Sequence, residues 1–138
     1  MEPVLSFRIP MRLPEAEVAV RLALQDQGFG ILTEVDVAET LRQKLGIETR
    51  PYRILGACNP ALAHASLAAD PRIGAYLPCG VALYEDGPAG ETTVSIQNPG
   101  MIGQAFAGPG LGEFADEALR RLQAALGAVA GVTSQPAA

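Results

Sequence analysis

The chain has 138 residues, 49% hydrophobic and 18% charged, with a formal net charge of −5. That length fits one domain with a core of its own. The ten Lys and Arg residues form no run, which argues against nucleic acid as a partner because phosphate neutralisation by such residues supplies most non-specific affinity. No apolar stretch approaches the roughly 18–20 residues that span a bilayer, so no membrane partner is expected. Met1-Glu2-Pro3 opens without a signal-like apolar region, which makes the cytoplasm the default compartment. Two cysteines in that compartment read as reduced thiols.

In chain order, Val4 to Ile9 alternates, with Leu5, Phe7 and Ile9 on one face and Ser6 and Arg8 on the other, the pattern of a half-buried strand. Pro14 suits the first turn of a helix, with Glu15 and Glu17 near its positive end. Val18 with Leu22 and Ala19 with Ala23 are expected to form its packing stripe, and Gly28 its cap. Residues 30–35 read as a second strand. Asp36 and Glu39 form a capping-box pattern before Val37, Leu41 and Leu45, and Gly46 closes that helix.

Residues 50–58 read as a third strand, with Pro51 at its start and Tyr52, Ile54, Gly56 and Cys58 on one face. Asn59-Pro60, Asp70-Pro71 and Asn98-Pro99 are each a helix-start signal, predicting helices near 60–69, 71–76 and 99–106. Residues 80–85 and 91–97 predict a hairpin across Asp86-Gly87-Pro88-Ala89-Gly90. After Gly108-Pro109-Gly110, a stripe from Leu111 through Phe114, Ala118, Leu122 and Leu126 to Val129 predicts a long final helix. The sum is one α+β domain over residues 1–130, a largely antiparallel sheet with helices on one face, and a frayed tail over 131–138. No G-x-G-x-x-G follows a strand, which argues against a dinucleotide-binding fold.

Chemistry is expected around Cys58, Asn59, Cys79, His64 and Tyr52. Cys58 immediately precedes a capped helix, whose free N–H groups and dipole favour a thiolate or hold an anion. The competing reading makes it a small buried side chain. Cys79, between Pro78 and Gly80, carries the same pair of readings. If the third and fourth strands are neighbours the two thiols meet, although 21 residues of separation is not a metal-ligand spacing in itself. His64 follows Cys58 by six residues and would complete a thiol–imidazole pair or a third soft-metal ligand, but most histidines on such a helix face solvent. Capping accounts for Asp36 beside Glu34, and core packing for Met101 and Phe106. No G-x-S-x-G, H-E-x-x-H, phosphate-loop or EF-hand pattern occurs.

The stretches Gly28 to Asp36, Leu41 to Gly46, Arg50 to Pro60, Ala63-His64 and Leu77-Pro78-Cys79 together resemble the bacterial and archaeal family filed as domain of unknown function 302, over about residues 4–127. The resemblance implies a sheet of the TATA-binding-protein class, curved and antiparallel with helices on one side, and a small, typically homodimeric protein. It implies no settled activity and no named cofactor. The positions that match the family motif are Tyr52, Arg53, Gly56, Cys58, Asn59, Pro60, Pro78 and Cys79. Asn98 departs from it, standing where the family often carries an acidic residue.

Two functions follow as expectations. The first is a site at Cys58 and Cys79, with Asn59, His64 and Tyr52 nearby, that binds a small ligand or a soft metal such as copper(I), or that carries thiol redox chemistry. The second is a homodimeric binding or scaffold module whose cysteines are structural. A hydrolase lacks an activated serine or a metal-ligand set.

Overall fold

The alternation at the N-terminus forms a strand, β1 (Val4–Ile9), whose Phe7 and Ile9 are buried. The computed structural model describes residues 1–130; the tail expected over 131–138 lies outside the described residues. After β1 come α1 (Leu13–Asp26), β2 (Gly30–Asp36), α2 (Val37–Leu45) and β3 (Tyr52–Cys58). The second half holds α3 (Pro60–Ala69), a 3-10 helix (Pro71–Tyr76), β4 (Cys79–Glu85), β5 (Thr92–Gln97), α4 (Gly100–Ala105) and α5 (Leu111–Ala130). The five strands form one open sheet in the order β1-β5-β4-β3-β2, every pair antiparallel. With its helices on one side, the domain is α+β. No helix among the described residues is long and apolar enough to cross a membrane.

The expected caps hold the helices. Asp36 Oδ1 accepts from the Glu39 amide at 3.0 Å, Asn59 Oδ1 from Leu62 at 3.2 Å, and Asp70 Oδ1 from Arg72 at 2.9 Å. Asn98 accepts from the Gly100 amide at 2.9 Å, and its Nδ2 donates to the Glu2 carbonyl at 2.8 Å, tying the N-terminus to the start of α4. The segment after Asp70 winds as a 3-10 helix rather than an α-helix.

The main core lies between the sheet and the pair α1 and α5. Leu55, Val81, Leu83, Val94 and Ile96 meet Ala16, Val20 and Leu24 from α1 and Leu122 and Leu126 from α5. The stripe expected on α1 is corrected here: Val18 and Leu22 are exposed, and Leu13, Ala16, Val20 and Leu24 face the core. Helix α1 is apolar on more than one side, so its period alone does not choose the buried face. Helix α2 buries none of its residues fully, and Leu45 remains exposed.

A smaller core of Ile73, Ile102 and Leu111, with Leu77, Phe106 and Phe114 against it, sits under the 3-10 helix and α4. At the opposite rim, Glu17 of α1 accepts from Arg21 at 2.9 Å and from Arg53 at 2.5 Å. Arg53 also approaches Glu34 at 3.5 Å and Asp36 at 3.7 Å. This network ties the edge strand to the first helix.

Gly56 fixes how the chain crosses from β3 to β4. A Cβ there would overlap Thr33 Oγ1 and stand 2.6 Å from Pro78 Cγ. The Pro78 ring is fixed by its closure on the backbone, and Thr33 Oγ1 clears the space only by a change of χ1. Gly56→Ala is therefore expected to destabilise the fold by about 1–3 kcal/mol through overpacking, read as a lower midpoint in urea with an unchanged slope.

Candidate functional site

Strand β3 ends at Cys58, and Asn59 turns the chain directly into α3. The β3–β4 register sets Ala57 opposite Cys79, so Cys58 and Cys79 are one position off direct partners at the same end of the sheet. They are brought together. Both are free thiols, Cys58 partly exposed and Cys79 buried, and both line one pocket of about 50 Å³. Counting one water-sized group per roughly 10–15 Å³ on that measure, the pocket takes a few such groups and no large cofactor.

Its walls come from distant parts of the chain. Phe29 follows the left-handed Gly28, Leu62 and Ser66 come from α3, Leu77 precedes the cis proline, and Phe114 and Ala118 come from α5. The polar side chains in the lining are Cys58, Asn59, Ser66 and Cys79. Asn59, 7% exposed, uses its oxygen to cap α3. Ser66 Oγ donates to the Leu62 carbonyl at 2.9 Å. The thiols are thus left as the chemical handles of a mainly apolar space.

Asn59 is also a structural joint. Gly28, at φ 85°, passes so close that a Cβ would lie 3.0 Å from Asn59 Nδ2 and 3.3 Å from an Arg121 guanidinium nitrogen. Arg121 in turn donates to the Gln27 carbonyl at 3.4 Å. The α1–β2 turn, the start of α3 and the middle of α5 therefore meet at this side chain.

The other two expected residues lie elsewhere. His64 is exposed on α3 and is absent from the pocket lining. Tyr52 shares a sheet face with Ile54 and Gly56 as read from the sequence, but it begins β3 while Cys58 ends it. Six residues of strand separate them by about 20 Å. Tyr52 instead stacks on Tyr84, with ring centroids 5.1 Å apart. Among the described residues no group of three or more His, Cys, Asp or Glu side chains is placed to hold a metal ion. A metal here would have the two thiolates as its protein ligands, an arrangement that suits a soft monovalent ion and not tetrahedral zinc.

Sequence reasoning missed Phe29, Leu77 and Phe114 as pocket walls. They are ordinary apolar residues, and only the tertiary packing gathers them. It also missed the pairing of Arg53 with Glu17. An arginine inside an apolar strand was the available signal, since such a group needs a partner on the side to which it points.

Burial pushes the Cys79 thiol up to about 11, and the neighbouring Cys58 adds to the rise. A thiol with a raised folded-state pKa is bound to its proton more tightly in the native state. Its contribution to stability is present below about pH 9 and is lost as pH climbs from there through about 11. The native protein is expected to lose about 2–3 kcal/mol on that account over this window, and Cys79→Ala to flatten the loss. Urea melts at a series of alkaline pH values check this.

A model of the family described as domain of unknown function DUF302 matches residues 5–129. The crystal structure of uncharacterised conserved protein DUF302 from Bacillus stearothermophilus is 28% identical in sequence. It aligns over 94% of this chain and 99% of its own, with a TM-score of 0.84. No curated protein shows significant sequence similarity.

Proposed function

Starting from a chain that belongs to the DUF302 family, a membership that brings no reaction with it, we propose that the domain binds a small thiophilic ligand in the pocket at the start of α3. One observation carries this reading: two cysteines distant in sequence line a single small pocket whose other polar side chains cap or brace α3. Soft ions such as copper(I) take thiolate ligands. The ion displaces the two thiol protons as two sulfur–metal bonds form. The N-terminal end of α3 supplies a favourable potential for the resulting negative charge. A reducing cytoplasm suits a site that needs both thiols free.

The burial of Cys79 favours a second reading, a homodimeric scaffold in which both thiols are structural. A buried thiol held neutral well above pH 7 behaves as a small hydrophobe.

Anaerobic titration with copper(I), using a competing chelator, separates the two. The ligand reading expects one ion per chain and apparent affinity that rises with pH, because binding releases protons. It also expects a loss of about 100-fold or more, some 2.7 kcal/mol, in Cys58→Ser and in Cys79→Ser. If copper(I) does not bind, and replacing either cysteine by alanine changes only the melting temperature, the scaffold reading stands instead.

A further inference from the structure

The two thiols of the pocket are unequal. Cys58 is partly exposed where β3 runs out, whereas Cys79, at the start of β4, is buried. Ile102 and Leu111 also line the pocket, and both belong to the smaller core. That wall cannot widen without unpacking the core behind it. A space of about 50 Å³ admits an ion with a few water-sized groups. A carrier that wraps the ion in several donor atoms cannot follow it in.

We infer that the pocket receives copper(I) from a carrier that holds the ion by separable monothiol ligands, and receives it in a fixed order, Cys58 first and Cys79 second. This deepens the reading of the pocket as a thiophilic-ligand site and rests on it. In the first exchange the Cys58 sulfur bonds the ion as one carrier sulfur–copper bond breaks, and the Cys58 proton goes to the departing thiolate. The ion is then held at the pocket mouth between Cys58 and the second carrier thiolate. In the second exchange the Cys79 sulfur bonds the ion, the remaining carrier bond breaks, and the Cys79 proton leaves on that thiol. A bis-thiolate copper(I) complex and two protein thiols thus give a bis-cysteinyl copper(I) site and two free small thiols. Copper stays monovalent throughout, so the transfer consumes no oxidant or reductant.

Exposure sets the order. Exchange begins at a sulfur that the incoming complex can touch, and of the two thiols Cys58 offers one. Burial also holds the Cys79 thiol neutral, and the thiolate is the form that binds metal. The second exchange is therefore the slower one. Volume sets the carrier. Monothiols leave one at a time, the first at the mouth and the second as the ion passes inward, so no bulky ligand has to enter. A chelate must give up several linked donor atoms before the ion can reach Cys79.

Rapid-mixing native mass spectrometry tests this on the full chain, mixed anaerobically with copper(I) in excess N-acetylcysteine. In the wild type a species of chain, copper and one N-acetylcysteine is expected to precede the species of chain and copper alone. Cys79→Ala is expected to capture the ion at the wild-type rate and to stop at the mixed species. Cys58→Ala is expected to slow capture by about 100-fold or more. Delivery from the bicinchoninate chelate at equal free copper(I) is expected to load the wild type about tenfold or more slowly. Circular dichroism confirms that each variant is folded; should Cys79→Ala unfold, the wild-type time course alone gives the order. Loading without a preceding mixed species overturns the inference, as does capture by Cys58→Ala at the wild-type rate or equal loading from the chelate. A chain that binds no copper(I) at equilibrium defeats the pocket reading and this inference together, whereas binding without order defeats this inference alone.

Discussion

The contact on which the rest of this structure depends is the seat of Pro78 over Gly56. With no side chain at 56, the chain arriving from the 3-10 helix lies flat against β3 and starts β4 in fixed register. That register sends Val81 and Leu83 into the main core. It also places Cys79 opposite Ala57 and so beside Cys58. A shift of one residue would turn every β4 side chain to the other face. The core and the thiol pair would be lost together.

Asn59 works similarly at the strand end. Its side-chain oxygen closes the first turn of α3, a cap of the kind that contributes about 1 kcal/mol. Its amide group fills the space beside Gly28. The pocket mouth is consequently built on a braced joint rather than on a loop. A pocket held this way keeps its two thiols in a constant relation.

Much of the scaffold was legible because strands and caps are local. Alternation in β1, the Asx-Pro pairs and the hairpin signal each describe a few adjacent residues, and the structure forms them near the expected positions. Non-local features were harder to read. On α1, Val18 with Leu22 and Val20 with Leu24 are equally apolar at helical spacing, and only the arrival of α5 and the sheet decides between them. His64 lies close to Cys58 in sequence, but the helix turns its imidazole outward. Tyr52 shares a strand face with Cys58, yet the strand carries that face far from the pocket. The pairing of the two cysteines was the reverse case, distant in the chain and joined by strand adjacency.

The strand order also has a consequence for how the chain is made. The first two strands end up as the two opposite edges of the sheet, and β1 pairs with β5 alone. Strands β2 to β5 can assemble as each emerges, since each pairs with the next. Val4, by contrast, waits for Gln97, so on a ribosome β1 is made before the other four strands and joins the sheet after them. Helix α1 waits as well, because its apolar side packs on a core that needs α5. Strand β1 and helix α1 are therefore the elements that longest remain without their partners, and the folding rate is bound to long-range closure rather than to local helix formation.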